Sequence, residues 1–360
     1  MSNALATMIS SLQPSRLSKL ILKRLSTIFV LIVLLSLAAC QRTTPDISEP
    51  IELVGEHSVT EIPLFGPIAA ARAEISGMAW CGDHLILLPQ FPEMFIDEGS
   101  GSVFSIPEAA LQAYLAGETT VTIEPDLISF ESGNISTEIS GFEGFEAIAF
   151  HGDDFFVTVE ARQGSGMMGY LVKGAVATDC SGLTLEPDTR IAISPQADLS
   201  NMSDETIIVY EDLVHTIYEA NGRNVNPDPV VHVFDPALNL VGKLTLPNIE
   251  YRITDATVVD EDDVFWAINY FYPGDTKLKP ADDQIALTFG LGFSHADADQ
   301  VERLIAFEFG ENGVELAGLP PVYLELTGET ARNWEGLVKF MGGFLLVTDE
   351  YPTTILGFVE

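Results

Sequence analysis

Five 15-residue segments of the chain share one pattern of polar and apolar positions. Each begins with a polar residue and about four apolar residues, passes a turn-like centre, and ends in a run rich in β-branched and aromatic residues. This pattern predicts a β-hairpin for each segment. The segments, called repeats 1 to 5, are SGMAWCGDHLILLPQ (76–90), EAIAFHGDDFFVTVE (146–160), ETIIVYEDLVHTIYE (205–219), DATVVDEDDVFWAIN (255–269) and EGLVKFMGGFLLVTD (335–349).

A second hairpin follows each of the first four repeats, so that four antiparallel strands recur along the chain. The clearest example is VVHVFDPALNLVGKLTLP (230–247). Four-stranded units that recur without helices predict an all-β fold, a β-propeller of four-stranded antiparallel blades. The repeat count predicts five blades. Six is the alternative, because the unit that starts at residue 255 is the longest.

The last unit lacks a strand, since only TTILGFVE (353–360) follows repeat 5. The missing strand is expected from HSVTEIPLF (57–65), near the other end of the chain. N- and C-terminal strands would then share one blade, and the closed ring would leave no long free edge. Residues 51–360 are therefore predicted to form a single propeller domain.

The N-terminal 39 residues have the features of a secretory signal peptide. The uncharged apolar run 28–39 is shorter than the roughly 20 residues of a membrane-spanning helix, and only basic charged residues precede it. A basic region, a short apolar run and small residues before a cleavage point define a signal peptide. Residues 1–39 are therefore expected to be removed.

The sequence Leu37-Ala38-Ala39-Cys40 resembles a bacterial lipobox. The resemblance implies that Cys40 becomes the lipidated N-terminus, and the alternative is a plain signal peptide with an incidental Cys. Gln41, in place of Asp, resembles Gram-negative lipoproteins of the outer membrane. The polar residues 40–50, with two prolines, are expected to form a flexible tether. We expect an outer-membrane lipoprotein that faces the periplasm or the exterior.

The chain is strongly acidic, with a net charge of −36 from 17 basic and 53 acidic residues. Loss of residues 1–39 would remove four basic and no acidic residues and bring the charge to −40. Nucleic acid is excluded as a partner because phosphate binding needs clustered Lys and Arg. Cys81 and Cys180 remain besides Cys40, and an exported location permits one disulfide between them.

The first and fifteenth residues of each repeat are expected to face each other at the open end of the hairpin. Because the first strand of a blade is innermost, these positions would surround the mouth of the central channel. They are Ser76, Gln90, Glu146, Glu160, Glu205, Glu219, Asp255, Asn269, Glu335 and Asp349. Converging carboxylates repel unless a proton or a cation joins them, and oxygen ligands select a hard cation, Ca²⁺ before Mg²⁺. The alternative is an acidic chain with acids at exposed strand ends.

The mouth positions divide into two sets of candidate metal ligands. Those that start the innermost strands are favoured: Glu146, Glu205, Asp255 and Glu335. Those one strand further out are Glu160, Glu219, Asn269 and Asp349. Glu146 and Glu335 are also candidate catalytic bases, and His295, in the long segment 271–303, is a candidate general acid or base. The alternative for His295 is a solvated loop histidine.

Two segments, FEGFEAIAFHGDDFFVTVEAR (142–162) and NWEGLVKFMGGFLLVTDEYP (333–352), resemble phytase-like propeller proteins, described as having esterase-like activity of phytase, and SdiA-regulated propellers. By this resemblance Glu146, Glu160, Glu335 and Asp349 match mouth positions of the motif. A more distant similarity to calcium-dependent propeller lactonases and phosphotriesterases implies a hydrolase. Ser76, Gln90 and Asn269 depart from the acidic pattern.

Two functions are therefore expected from different classes. The first is a Ca²⁺-dependent hydrolase of phosphoesters, esters or lactones that acts on a small molecule at the channel mouth. The alternative is a non-catalytic propeller lipoprotein that binds a protein or glycan partner in the cell envelope.

Overall fold

The structure is a computed structural model that describes residues 51–360 apart from residues 98, 165, 329 and 350–352. The predicted signal peptide, the predicted lipidation site Cys40 and the predicted tether lie outside the described residues. In the described part of the chain, no helix has the length and apolar character needed to cross a membrane.

Strands make up most of the regular structure. The first twelve are β1 (Leu53–Val54), β2 (Thr60–Ile62), β3 (Ile75–Cys81), β4 (His84–Pro89), β5 (Ser102–Pro107), β6 (Asp126–Glu131), β7 (Phe142–His151), β8 (Asp154–Gln163), β9 (Gly166–Val176), β10 (Gly182–Leu185), β11 (Ile191–Ile193) and β12 (Asp204–Tyr210). The others are β13 (Leu213–Tyr218), β14 (Val230–Phe234), β15 (Leu240–Thr245), β16 (Arg252–Ala256), β17 (Val264–Phe271), β18 (Leu291–Gly292), β19 (Val301–Gly310), β20 (Gly313–Leu316), β21 (Val322–Tyr323), β22 (Trp334–Phe340), β23 (Gly343–Thr348) and β24 (Leu356–Val359).

Helices are short and lie between the strands. The α-helices of the described residues are α1 (Glu108–Leu115), α2 (Ile135–Glu138) and α3 (Gln284–Phe289). The 3₁₀ helices are Pro67–Ala69, Ala71–Ala73, Pro92–Met94, Pro187–Thr189 and His295–Asp297.

All five predicted hairpins are present, as β3–β4, β7–β8, β12–β13, β16–β17 and β22–β23. Their turns have the backbone conformation that the sequence predicts. In repeat 3, for example, Glu211 and Asp212 both have positive φ angles, 50° and 58°, as in the type I′ turn of tight hairpins. Each hairpin starts an antiparallel group of strands, called units 1 to 5 after the repeats. The all-β propeller fold is confirmed.

Strands from the two ends of the described chain complete unit 5. β2 pairs with β24 through Thr60↔Phe358 and Ile62↔Leu356, and the order β2–β24–β23–β22 forms one four-stranded sheet. The predicted sharing of a blade by N- and C-terminal strands is therefore confirmed. The number of blades, five with six as the alternative, stays a prediction.

The core consists of apolar layers between neighbouring units, because the strands are apolar on both faces. In β8, Phe155 and Val157 pack toward unit 1, and Phe156 packs toward unit 3. Another layer joins unit 1 to unit 5, with Phe104 and Leu345 among its buried members. Each sheet is thus covered on both sides, as the unbroken apolar runs of the repeats predict.

Two features tie units 1 and 2 together at their outer parts. The fourth strands β6 and β10 pair in parallel, which joins the two units into one sheet. Cys81 at the end of β3 and Cys180 before β10 form a disulfide that spans 99 residues of sequence. The pairing that the sequence permitted is therefore present.

The long segment 271–303 is folded and contains α3 and β18. Asp283 caps α3 by accepting hydrogen bonds from the N–H groups of Ile285 and Ala286 at 3.0 and 3.2 Å. β18 pairs in parallel with β1, which brings the start of the described chain against this segment.

Candidate functional site: a carboxylate cavity at the start of the innermost strands

Each hairpin has a β-bulge near the start of its first strand. In repeat 3, Asp204 pairs with Tyr218 and Thr206 with Ile217, so Glu205 is the extra residue. Glu335 is the extra residue of repeat 5 in the same way. A bulge leaves its extra residue unpaired and turns its side chain. The irregularity therefore falls where the repeats place their first polar residue.

These bulges correct one detail of the sequence interpretation. The first residue of a repeat does not face the fifteenth, since Glu160 pairs with Gly144 and Asn269 pairs with Ile253. The pairing differs from the expected one by two positions: one comes from the two-residue turn, where His151 pairs with Asp154, and one comes from the extra residue of the bulge. The first residues of the repeats are therefore placed by bulges and not by regular cross-strand pairing.

The innermost strands surround a polar cavity of about 170 Å³. It is lined by Gln90, Glu146, Glu160, Asn201, Glu205, Arg252, Tyr272, Asn333, Glu335 and Asp349. Six of these are mouth positions predicted from the repeats: Gln90, Glu146, Glu160, Glu205, Glu335 and Asp349. A seventh, Glu219, is in contact with the lining through Arg252.

Glu146 and Glu160 form the part of the cavity that unit 2 contributes. The amide of Gln90 donates a hydrogen bond to Oε1 of Glu146 at 3.2 Å. Burial, followed by the charge of Glu160, raises the pKa of Glu146 well above its ordinary value. Burial and the charge of Glu219 raise the pKa of Glu160 to about 8. At neutral pH Glu160 therefore holds a proton.

Glu205 and Glu219 come from unit 3 and lie beside Arg252. Nη1 of Arg252 is 2.5 Å from Oε1 of Glu219, and its Nε is 2.8 Å from Oδ2 of Asp275. Burial and then the charge of Glu219 raise the pKa of Glu205 well above its ordinary value. Arg252 is the only basic residue of the cavity lining, and both its contacts are with carboxylates.

Glu335 and Asp349 come from unit 5 and share one amide. Nδ2 of Asn333 donates to Oε1 of Glu335 at 2.9 Å and to Oδ2 of Asp349 at 3.1 Å. Burial and then the charge of Asp349 raise the pKa of Glu335 well above its ordinary value. Asn333 therefore holds the two carboxyl groups near each other, and their mutual repulsion disfavours ionisation of both.

The charges of the cavity do not balance within the described residues. Carboxyl groups from units 2, 3 and 5 converge, whereas the single guanidinium is already paired. Bound protons or a bound cation can relieve this repulsion. As the side chains stand, no three His, Cys, Asp or Glu residues among those described form a group that could hold a metal ion.

Three predicted mouth residues make hydrogen bonds with neighbouring chain segments instead. Asp255 accepts hydrogen bonds from the N–H groups of Leu337 and Ala256 at 2.7 and 2.8 Å. Asn269 donates to the carbonyl oxygens of Glu250 and Arg252. The hydroxyl of Ser76 donates to the carbonyl of Phe145 at 2.6 Å. The structure thus places all three outside the cavity lining.

His295 lies in a buried hydrogen-bonded cluster outside the cavity lining. Its Nε2 accepts a hydrogen bond from the N–H of Glu302 at 3.1 Å, so its Nδ1 donates to Glu56 across 2.7 Å. Burial lowers the pKa of His295. The two nitrogens are occupied by structural contacts that join the segment 271–303 to the beginning of the described chain.

Sequence reasoning missed Asn201, Tyr272 and Asn333 as lining residues. Asn201 and Asn333 have positive φ angles, 60° and 42°. Asn is one of the few residues that adopts this conformation readily, as in turns. An Asn shortly before the polar start of repeats 3 and 5 was therefore the available signal. Tyr272 follows β17 in a segment without periodicity, and no pattern indicates it.

Comparisons with known proteins complete this description. No family model matches the chain, and no curated protein matches its sequence. The fold is similar to a putative glycoside hydrolase from Parabacteroides distasonis, with 12% identity, a TM-score of 0.45, and 89% of this chain and 94% of that chain covered. It is also similar to an α-L-arabinanase from Cellvibrio cellulosa, with 10% identity, a TM-score of 0.39 and coverages of 78% and 88%.

A third similar structure belongs to the GH130 family of mannoside phosphorylases, which contains glycoside hydrolases that target β-1,2-mannosidic linkages in Candida mannan. Its identity is 8%, its TM-score 0.48, and the coverages are 86% of this chain and 95% of that chain. These proteins are described as carbohydrate-active enzymes, and not as phytase-like or SdiA-regulated propellers. At TM-scores below 0.5 the similarities assign neither a family nor an activity to the chain.

Proposed function

We propose that the chain is an envelope lipoprotein whose propeller carries a cation-dependent hydrolytic site in the carboxylate cavity. One observation carries the proposal: carboxyl groups from units 2, 3 and 5 converge in one polar cavity whose single basic residue is already paired. Acids scattered over the surface of an acidic chain would instead remain apart and solvated.

The donors of the cavity have the chemistry that a hard cation prefers, and their side chains would have to move closer together to hold one. Carboxylate and amide oxygens are the ligands of Ca²⁺, and His and Cys are absent from the lining residues. Glu146, Glu205 and Glu335 are the favoured ligands, with Glu160 and Asp349 as further candidates. When bound, Ca²⁺ would polarise a substrate oxygen and position water.

The residues of the chain would supply the acid and the base. Glu160, with a pKa raised to about 8, holds a proton that it can give to a leaving group. The pKa values of Glu146 and Glu335 are also raised in the cation-free cavity. One of them would be ionised with the cation bound beside it and would then take a proton from the attacking water. Two acids in different protonation states are the usual arrangement for such chemistry.

The substrate class follows from the charge of the cavity. An ester or lactone carries no charge and would enter an acidic cavity without repulsion. A phosphoester would need the cation to offset its own charge, because Arg252 already contacts Glu219 and Asp275. We therefore rank uncharged esters and lactones before phosphoesters.

A second function is favoured by an apolar cavity of about 110 Å³ further along the innermost strands. Its lining includes Met78, Trp80, Phe150 and Leu337. An apolar cavity of this kind fits a non-catalytic propeller that binds an envelope partner.

Calorimetric titration of Ca²⁺ into the chelator-treated protein tests the proposal. We expect one site of micromolar or tighter affinity, and Ca²⁺-dependent hydrolysis in a screen of esters, lactones and phosphoesters. The variant Glu146→Gln with Glu335→Gln should lose this binding. Its control is Glu315→Gln, which removes a carboxylate at an exposed position of β20. Absence of binding heat together with an unchanged melting temperature would rule out the cation site and favour the partner-binding function.

Lipidation is tested separately with Cys40→Ser. The variant should be released from the membrane as soluble protein, because Cys40 is the proposed acyl acceptor. Continued attachment of the variant to the membrane would contradict the lipoprotein assignment and leave the cavity proposal intact.

A further inference from the structure

An exposed apolar face lies where the described chain begins. β1 and β18 pair in parallel with Leu53 opposite Leu291, so these two side chains point to the same side of the ribbon. Ile51 and Phe293, two residues before and two residues after this pair, extend the apolar stretch. The exposed fractions of Ile51, Leu53 and Phe293 are 43%, 46% and 61%.

The ribbon is fixed firmly to the rest of the protein. The N–H of His57 donates to the carbonyl of Tyr323 in β21 at 2.8 Å, and the hydroxyl of Tyr323 donates to the carbonyl of Gly290 at 3.0 Å. The buried carboxylate of Glu56 accepts hydrogen bonds from the N–H and the hydroxyl of Ser294, both at 2.9 Å, and contacts His295 at 2.7 Å. The apolar face is therefore an ordered surface of the folded protein, because the polar groups beside it form hydrogen bonds within the protein.

We infer that this face lies against the lipid bilayer when the protein is anchored. The inference rests on the lipoprotein part of the proposed function. The proposed acyl acceptor Cys40 precedes Ile51 by eleven residues, and an extended chain of that length spans at most about 40 Å. The surface around Ile51 is thus held within about 40 Å of the anchor, and it is the part of the folded protein nearest to the anchor along the chain.

The chemistry of the face selects apolar over electrostatic contact with lipid. The anchored chain, which lacks the four basic residues of 1–39, has a net charge of −40 and is repelled by anionic headgroups. Electrostatic attraction therefore cannot provide a second attachment. Leu, Ile and Phe side chains partition into the boundary between headgroups and acyl chains, and they add to the hold of a covalent lipid. The expected occupant is therefore a bilayer with neutral headgroups.

A fluorescent label at Phe293→Cys tests the inference in the full chain. The described native thiols, Cys81 and Cys180, are joined in a disulfide, and Cys40 is blocked if it is acylated. The labelled protein is reconstituted into phosphatidylcholine vesicles and compared with Phe65→Cys. Phe65 is the matched control, since it is the same residue type with the same exposed fraction of 61%.

We expect the label at position 293 to become at least twofold brighter and blue-shifted on vesicles, and to be quenched by brominated lipid. The label at position 65 should keep the emission of a water-exposed dye. A water-like emission at 293 in protein that floats with the vesicles would overturn the inference. So would an equal change without vesicles as protein concentration rises, which would indicate contact between two copies of the chain.

Failure of the anchor is recognised independently. Protein without an introduced cysteine serves as the test of lipidation. If it reacts with the label at Cys40 and does not float with vesicles, lipidation is contradicted. The 293-labelled Cys40→Ser chain is then mixed with vesicles: a blue shift would show that the face binds lipid without an anchor, and no shift would overturn the inference.

Discussion

The carboxylate cavity and the apolar cavity are lined by successive positions of the same innermost strands. Glu146, Glu205 and Glu335, the first residues of their repeats, line the carboxylate cavity. Two positions further along each strand, Ile148, Ile207 and Leu337 line the apolar cavity. If the acids merely reflected the acidic composition of the chain, acidic residues would also be expected among the lining residues of the apolar cavity. None is found there. We propose from this contrast that the polar end is built for a ligand. The apolar end then holds the strands together, unless the partner-binding function holds.

The largest expected effect is on the stability of the disulfide-linked units. Cys81→Ser with Cys180→Ser should lower the free energy of unfolding by about 4 kcal/mol, because a bond that spans 99 residues restricts the unfolded chain strongly. Urea denaturation measures this change. Ca²⁺ affinity should be unaltered, and a parallel loss of affinity would show that the two cavities are not independent.

Removal of a side chain from the apolar cavity should have the next largest effect. Ile208 is buried and lines this cavity, and Ile208→Ala should reduce the free energy of unfolding by about 3 kcal/mol. Thermal denaturation measures the loss, and Ile208→Val is the milder control. A variant of normal stability would mean that the apolar end is a loosely packed binding surface.

Removal of two carboxylates from the mouth should affect binding and not folding. Glu146→Gln with Glu335→Gln should weaken Ca²⁺ binding at least 100-fold, equivalent to about 2.7 kcal/mol, as measured by calorimetry. Without Ca²⁺ the variant should be at least as stable as the unmodified protein, since repulsion among buried acids is reduced. Unchanged affinity would place the cation elsewhere.

The smallest expected effect is a pH dependence of stability. The folded-state pKa of Glu160 is raised to about 8, above its value in the unfolded chain. The folded protein therefore binds a proton that unfolding releases, and stability without Ca²⁺ should fall as pH rises from 5 to 8. The melting temperature should drop, and Glu160→Gln should remove the part of this dependence that belongs to Glu160. Glu146, Glu205 and Glu335, whose pKa values are also raised, retain the rest. A melting temperature that rises over this range would contradict the raised pKa.

The hairpins were predictable because their signal is local. Glu211-Asp212 separates two runs of strand-forming residues, and the structure has its turn there. In repeat 5 the turn is Met341-Gly342, one residue before the expected Gly342-Gly343. Closure by β2 was also predictable, since unit 5 lacked one strand and HSVTEIPLF supplied it. These features depend on residues near each other in sequence or on the count of strands.

The bulges were not predictable, because a bulge adds one residue to one strand without interrupting the apolar run from which the strand is predicted. Asp255 illustrates the consequence. Its position in repeat 4 matches that of Glu335 in repeat 5, yet its carboxylate accepts the N–H of Leu337 from the next unit. Only the packing of two units brings that N–H within reach. Asn201 and Tyr272 enter the cavity from connecting segments, which have no periodic signal.

The pairing of β2 with β24 has a consequence for the order of events during synthesis and the proposed export. β2 is among the first strands to emerge, whereas its partner is the last strand of the chain. The ring therefore cannot close until the complete chain is available, and the early strand waits with its backbone groups unpaired. An unpaired strand edge can pair with another chain before the native partner is available. An exported chain with this topology would thus benefit from a periplasmic chaperone that covers β2 until β24 arrives.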